Sequence, residues 1–209
     1  MTRAYNSASR QRAAEKTQDR ILDAARKLFS RGGLDGVTIA EIAKHAAVAS
    51  ATIYGLFGSK TGILRALMQR AIFNADYDQV ARRLQVEEDP IEQLRLTASV
   101  ARAIYDGEAK DIGLLRGSSA FSPELKKLEH EFEKRRFELQ RERIERLAER
   151  GALRAGLGVQ EARDVMWMLT SRDVYRMLTA GRKWSSDKYE KWLADTLLDS
   201  FANRKRGTH

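Results

Sequence analysis

The chain has 209 residues, a formal net charge of +9 and no cysteine. This length permits a sizeable core in one or two domains, and the lack of thiols excludes disulfides, thiol catalysis and cysteine zinc sites. No apolar run approaches the ~20 residues that a membrane-spanning helix needs. The polar, basic residues 1–12 lack the apolar segment of a secretory signal, so we expect a cytoplasmic protein without a membrane anchor.

The positive charge is concentrated in the first third of the sequence. Residues 1–70 contain twelve Lys or Arg and five Asp or Glu side chains, a balance of +7, which leaves +2 for the rest of the chain. A basic segment of this kind is typical of a protein that binds a polyanion. Residues 1–16 contain four of these cations and almost no apolar side chains. We expect them to form a disordered basic arm, either free in solvent or reaching a DNA minor groove.

Residues 17–60 predict three helices. The first begins near Thr17 and ends at the glycine pair 32–33, because glycine readily takes the conformation of a helix C-cap. Thr38 and Glu41 have the spacing of a capping box, which predicts the start of a second helix. A small-residue turn then leads to a third helix over 50–57, with Ile53, Leu56 and Phe57 expected on its buried side. Two short helices joined in this way are typical of a helix-turn-helix, whose second helix can enter a DNA major groove.

The rest of the chain is also predicted to be helical, with no alternating strand pattern. Six further helices are expected, at about 59–82, 90–105, 110–120, 123–150, 159–180 and 186–203. We therefore predict an all-α protein of about nine helices.

The last two predicted helices are candidates for a homodimer interface. Residues 159–180 are apolar on almost every side, and a helix of this kind must be covered on every side. Residues 186–203 carry one apolar stripe, and the two helices together supply the predicted interface side chains Val165, Leu169, Tyr189, Trp192, Leu193, Leu197 and Phe201.

One block of this sequence resembles the DNA-binding domain of TetR-family transcriptional regulators. The block reads Thr38…Glu41-Ile42-Ala43…Val48…Thr52-Ile53-Tyr54…Phe57…Ser59-Lys60. The likeness covers roughly residues 17–77 and implies a helix-turn-helix at about 39–58. It also implies a larger C-terminal regulatory and dimerisation domain over 78–209.

The resemblance implies DNA-binding roles at matching positions. Thr38, Tyr54 and Lys60 would contact phosphates, which set register and affinity rather than sequence choice. Base reading would fall to the third helix, at Ser50, Ala51, Thr52 and Gly55. That helix departs from the family pattern, because it offers no Arg, Lys, Asn or Gln for a bidentate base contact. Specificity would then come from hydroxyls, thymine methyl contacts, DNA shape or the N-terminal arm.

The resemblance also implies a pocket for a small-molecule effector within residues 78–209. Its candidate lining residues are Tyr105, Phe121, Phe132, Trp167 and Tyr175, with Arg102, Arg116 and Arg172 as polar anchors. Aromatic residues at helical spacing are also typical of an ordinary core, and that alternative stays open.

We predict a homodimeric, ligand-responsive transcriptional regulator, a repressor released from a palindromic operator by a small molecule. One alternative is an architectural DNA-binding protein without an effector; another is a helical interaction module that has lost DNA binding. An enzyme is not expected, because the three histidines have no metal-ligand spacing. Phosphate-loop and serine-hydrolase motifs are also absent, and no cofactor or metal site is predicted.

Overall fold

A computed structural model describes residues 2–111 and 123–203, and across these ranges the fold is all-α, as predicted. Its helices are α1 (Thr2–Gly32), α2 (Ile39–Ala46), α3 (Ser50–Phe57), α4 (Lys60–Ile72), α5 (Ala75–Val86), α6 (Pro90–Asp111), α7 (Pro123–Glu149), α8 (Val159–Leu169), α9 (Arg172–Arg176) and α10 (Ser186–Phe201). Nine of these described helices have eight residues or more, and a π-helical turn over Met177–Gly181 follows α9.

None of the described helices combines the length and the hydropathy that crossing a lipid bilayer requires. Helix α6 continues to Asp111 instead of ending near Tyr105. The rest of the helix predicted at 110–120 lies outside the described residues.

Helix α1 begins at Thr2, so the helix start predicted near Thr17 is corrected. Its residues 9–20 are almost entirely exposed, and its buried face starts only at Ile21. Alanine, arginine, glutamine, glutamate and lysine dominate residues 10–16, and these are strong helix formers. Once the buried half of α1 is fixed, each further residue adds one hydrogen bond without a new nucleation cost.

Two helices predicted as continuous are interrupted by polar caps. The first interruption is at Asn74, whose side-chain oxygen accepts from the Tyr77 N–H at 2.9 Å and whose amide nitrogen donates to the Ala103 carbonyl at 2.9 Å. The second is at Thr170 and Ser171, where the Ser171 hydroxyl caps α9. The predicted helices 59–82 and 159–180 are therefore α4 with α5, and α8 with α9 and the π turn.

The chain divides into two compact units. The first comprises Met1–Ala71 and Glu108–Leu128, and the second comprises Ile72–Gly107 and Glu129–His209, each as far as its residues are described. The division after Ala71 comes earlier than the predicted boundary after residue 77.

Each unit has its own apolar core. The first core is built by α1 to α4 and includes Ile21, Phe29, Ile42, Ile53, Ile63, Leu64, Leu67 and Met68. The second includes Leu94, Tyr105, Ile144, Leu147, Met166, Tyr175, Tyr189, Leu193, Leu197 and Phe201.

Candidate nucleic-acid interface and C-terminal core

The first turn of α2 is fixed by a capping box between Thr38 and Glu41. The Thr38 N–H and hydroxyl both donate to the Glu41 carboxylate, at 2.7 and 2.8 Å, and the Glu41 N–H donates to the Thr38 hydroxyl oxygen at 3.2 Å. Both hydrogen bonds from Thr38 lower the pKa of Glu41 below its ordinary value, and the one from the Thr38 N–H contributes most. The predicted cap is confirmed, and it leaves Thr38 exposed at a helix N-terminus that favours an anion.

The turn between α2 and α3 depends on a left-handed residue. Ala47 has φ 51° and ψ 52°, and the Val48 N–H donates back to the Ala43 carbonyl at 3.0 Å. Alanine in this conformation is strained, because its Cβ approaches a backbone carbonyl oxygen.

Helix α3 presents most of its surface to solvent. Ile53 is its one fully buried residue, whereas Ala51, Thr52 and Gly55 are exposed and Tyr54 is 55% exposed. Ser50, at the start of the helix, is half-buried. The predicted base-reading residues therefore lie on a helix that is largely exposed to solvent.

Leu56 and Phe57 correct the predicted buried side of α3. Leu56 is exposed and Phe57 only half-buried, because the short helix meets the core through Ile53.

The start of α4 is anchored next to the start of α2. The Lys60 ammonium donates to the Val37 carbonyl at 3.2 Å, so it lies beside the residue that precedes Thr38. Lys60 and Thr38, two of the predicted phosphate-contacting residues, therefore lie near each other.

Gly62, in the first turn of α4, packs against the end of α3 and was not singled out in the sequence analysis. A Cβ at Gly62 would lie 1.8 Å from the Phe57 carbonyl oxygen. The only sequence signal for it is a glycine in the first turn of a predicted helix, where glycine is otherwise unfavourable.

The positive charge of the first unit is partly neutralised. Arg70 pairs with Asp23 at 3.0 Å and lies 3.9 Å from Asp19. These two acids are directed at Arg70. The exposed cations of α1, which include Arg12, Lys16 and Arg20, can therefore attract a polyanion electrostatically.

Four residues of the predicted dimer interface lie inside their own subunit. Tyr189, Leu193, Leu197 and Phe201 are fully buried in the C-terminal core, which removes them from the predicted contact surface. The single apolar stripe on the last helix therefore packs against the core of its own subunit.

Other apolar side chains of α8, α10 and the π turn remain at the surface. Val165, Leu169 and Trp192 are half-buried, as a partner-facing position allows. Met168 is 49% exposed and Met177 is 60% exposed, although the sequence analysis assigned neither to an interface.

Three of the predicted effector-pocket residues, Tyr105, Phe132 and Trp167, differ in their exposure and their partners. Tyr105 is buried and donates its hydroxyl to the Thr170 carbonyl at 2.7 Å. Trp167 is exposed, with its indole N–H 3.1 Å from a Glu133 carboxylate oxygen. Phe132 is half-buried. The candidates Phe121 and Arg116 lie outside the described residues.

Arg102 is engaged by carboxylates and is not available as a ligand anchor. Its guanidinium lies 2.7 Å from Glu190, 2.6 Å from Asp187 and 3.3 Å from Asp106. The hydrogen bond to Glu190 contributes most to raising the pKa of Arg102. Arg102 was predicted to anchor a ligand, but its ion pairs link α6 to α10.

Arg172 and three tyrosine rings form a continuous aromatic group. The Arg172 guanidinium carbon lies 6.0 Å from the centre of the Tyr105 ring and its Nη1 is 3.9 Å from Glu129. The Tyr175 ring centre is 5.4 Å from that of Tyr105 and 4.9 Å from that of Tyr189. Tyr105, Tyr175 and Arg172, three of the predicted pocket residues, therefore lie close together.

Comparison with protein families gives a match at the helix-turn-helix. Residues 21–67 match the family model described as "Bacterial regulatory proteins, tetR family". The regulator BetI of Paraburkholderia xenovorans is 26% identical over 155 residues, which cover 71% of this chain and 78% of that protein. BetI of Burkholderia cenocepacia is 28% identical over 116 residues, and the chain spans 58% of that relative's length.

Solved structures share the fold along nearly the whole chain. The repressor NalD of Pseudomonas aeruginosa has a TM-score of 0.73 at 21% identity, covering 93% of this chain and all of that one. A putative regulator from Saccharomonospora viridis in complex with choline has a TM-score of 0.65 at 22% identity, covering 91% of this chain and all of its own. FadR of Bacillus subtilis with stearoyl-CoA has a TM-score of 0.66 at 20% identity, covering 87% of this chain and 97% of its own.

Proposed function

We propose that the chain is a member of the TetR family and acts as a homodimeric transcriptional repressor that a small molecule releases from a palindromic operator. The observation that carries the proposal is the open face of α3 beside Thr38 and Lys60, in the basic first unit of the chain. A helix that is exposed on most of its surface and flanked by phosphate-binding groups suits a DNA major groove.

The side chains of α3 favour a particular kind of DNA recognition. Ala51 and Gly55 permit close approach to the bases, and Thr52 offers a hydroxyl and a methyl group. Thr38, Tyr54 and Lys60 supply phosphate contacts, which fix the position of α3 without reading sequence. We infer that DNA shape and thymine contacts provide much of the specificity.

A second copy of the chain would complete the DNA-binding form. The surface side chains Val165, Met168, Leu169 and Trp192 are the candidate contacts, since they lie outside the fully buried core. Two subunits place two α3 helices about 34–36 Å apart, which corresponds to one DNA turn and a palindromic operator.

We place the effector in the second unit, where the aromatic group lies. Two structural neighbours of this chain are described in complex with choline and with stearoyl-CoA, which supports a small-molecule site in this fold. An effector that favours one spacing of the two α3 helices shifts the equilibrium between bound and free states. A cytoplasmic location fits this role.

The proposal is tested by selecting bound fragments from genomic DNA and measuring their affinity as salt is varied. We expect preference for one palindrome, lost on adding an effector found by screening compounds for release. Equal binding to every duplex would identify an architectural protein instead. Failure to bind any duplex at low salt would favour a helical interaction module.

Dimerisation is tested separately by sedimentation. Met168→Glu places a charge on the proposed contact surface and should give monomers with weakened operator binding. Val86→Glu is the matched control, because Val86 is a more exposed apolar residue on α5. Dimers that survive Met168→Glu would remove this face from the proposed interface.

A further inference from the structure

The first half of α1 is a helix that covers no core. Of residues 9–20 none is buried and only Thr17 is half-buried, whereas the buried face of α1 begins at Ile21. Most helices in proteins are stabilised by packing an apolar face, and an isolated helix of this length is marginal in water. This exposed half of α1, residues 9–20, is therefore open to solvent or to a partner over nearly its whole surface.

Three cations lie along one side of the exposed half of α1. Arg12, Lys16 and Arg20 follow at intervals of four residues, which places them on one face and about 6 Å apart along the helix axis. All three are exposed, and within the described part of the chain no hydrogen bond or ion pair engages their side chains. Their charges are therefore free to act on a molecule outside the subunit.

The acidic residues nearby do not neutralise this row of cations. Asp19 and Asp23 lie 3.9 and 3.0 Å from the Arg70 guanidinium of α4, so a cation of another helix takes up their charge. Glu15 is the other acid of the exposed half, and it forms an ion pair with none of the described cations. The exposed half contains four cations and two acids, so its balance is positive.

The composition of the exposed half favours a polyanion over a membrane. Its apolar side chains are Ala13 and Ala14 alone, whereas a helix that inserts into a lipid interface needs large apolar residues on one face. A row of cations without apolar neighbours suits the regularly spaced phosphates of a nucleic acid. The same compact unit contains α3 with Thr38 and Lys60, so the proposed function brings double-stranded DNA to this unit.

The row of cations is well separated from the contacts proposed for Thr38 and Lys60. Helix α1 ends at Gly32, shortly before Thr38, and Arg20 precedes that end by twelve residues, or about 18 Å of helix. Arg12 lies about 12 Å further along the axis, so the row reaches about 30 Å from the end of α1. This distance approaches one turn of duplex DNA, which is about 34–36 Å. The row is therefore placed to contact phosphates that flank the segment read by α3.

We propose that the exposed half of α1 is a second DNA-binding element, which contacts phosphates outside the segment read by α3 through Arg12, Lys16 and Arg20. Because phosphate contacts carry no sequence information, this element lengthens the bound site without adding a base preference. The inference rests on the proposed DNA binding and assigns a further surface to it.

The test compares two duplexes that carry the selected operator. One ends at the edges of the palindrome, and the other extends about ten base pairs, one DNA turn, beyond each edge. Wild type should bind the longer duplex more tightly, with a steeper slope of log affinity against log salt. Arg12→Ala, Lys16→Ala and Arg20→Ala together should remove this advantage. They should also lower the slope on the longer duplex by about 2.7 for each bound subunit, at about 0.9 per lost contact.

Two further variants separate the contacts from general charge and from folding. Lys134→Ala, Arg135→Ala and Arg146→Ala together remove the same charge from exposed positions of α7, and they should preserve the advantage of the longer duplex. Lys16→Gln alone should lower the slope by about 0.9 for each subunit, so the result does not depend on the folding of the triple variant. Because the three cations of α1 lie off the core, their triple variant should unfold at the wild-type temperature.

The outcomes distinguish this element from the proposed function. Equal binding of the two duplexes by wild type, or an α1 triple variant whose slope matches that of the α7 variant, would overturn the second element. If one palindrome is still preferred and released by an effector, the regulator survives that result. If random-sequence duplexes bind as tightly as the operator and the α1 triple variant still lowers the slope on them, the repressor fails and the DNA-binding role of α1 stands.

Discussion

The Lys60 ammonium donates a hydrogen bond to the Val37 carbonyl oxygen at 3.2 Å, across 23 positions of sequence. The contact joins the first turn of α4 to the residue preceding the α2 cap. It leaves Lys60 half-buried, with part of its surface still open to solvent. The same side chain thus has a structural contact within the helix-turn-helix and a proposed contact with phosphate.

Replacing Lys60 by alanine should weaken binding to every duplex to a similar degree. One lost phosphate contact lowers the slope of log affinity against log salt by about 0.9. Fluorescence anisotropy at several salt concentrations measures this slope. Lys134→Ala, an exposed lysine of α7, is the control that should leave it unchanged. An unaltered slope in Lys60→Ala would limit Lys60 to its contact with Val37.

Gly62→Ala should destabilise the helix-turn-helix. The added Cβ would lie 1.8 Å from the Phe57 carbonyl oxygen, a backbone atom that cannot turn aside, so α3 and α4 must move apart. We expect a loss of about 3 kcal/mol or more in the free energy of unfolding, at the upper end of overpacking costs. Urea denaturation followed by circular dichroism measures it.

Gly55→Ala is the matched comparison for Gly62. A Cβ at Gly55 meets no atom within 4 Å, so the substitution should stabilise α3 by about 0.5–1 kcal/mol through helix propensity. Its DNA affinity is measured in parallel, because Gly55 faces the proposed DNA site. Equal stability of the two variants would contradict the close contact at Gly62.

Ala47→Gly should stabilise the turn between α2 and α3. Ala47 has φ 51°, and glycine adopts this conformation without the Cβ clash, a difference of roughly 1 kcal/mol. Ala40→Gly, at an exposed helical position of α2, should instead destabilise by about 0.5–1 kcal/mol. Thermal unfolding of both variants checks the opposite signs, and a destabilised Ala47→Gly would contradict the strain.

The helix-turn-helix was predictable because its signals are local. The spacing of Thr38 and Glu41 predicted a cap that the structure contains, and the buried position of Ile53 follows from its helical period. Leu56 shows the limit of this reasoning, since periodicity cannot tell how much of an eight-residue helix reaches the core.

The parts that sequence did not predict depend on contacts between distant residues. Asn74 interrupts a continuous apolar stripe because its amide reaches Ala103, which is 29 positions away. Tyr189 and Leu193 were assigned to a partner although the subunit's own core covers them, because an apolar stripe does not show which surface buries it. The helical start of α1 was missed because its polar composition also suits disorder.

Asn74→Ala should loosen the start of α5 and its contact with α6. The substitution removes the acceptor for the Tyr77 N–H and the donor to the Ala103 carbonyl. Losing the cap alone costs about 1 kcal/mol, and the second bond adds a similar amount. Asn74→Asp is the informative control, because it keeps the cap but not the donor, and its unfolding free energy should lie between those of wild type and Asn74→Ala.

Acid should weaken the first turn of α2 through Glu41. The hydrogen bonds from Thr38 hold the pKa of Glu41 below its ordinary value of 4.5. Because the folded-state pKa is the lower one, the contribution to stability is complete above the unfolded-state pKa. It is lost as pH falls through the folded-state pKa. In Glu41→Gln the uncharged amide does not titrate, so the wild type should exceed this variant in unfolding temperature near neutral pH and lose that advantage as the pH falls through the folded-state pKa of Glu41. Glu15→Gln, at an exposed position of α1, controls for loss of a charge, and a Glu41 advantage that persists at acid pH would contradict the assignment.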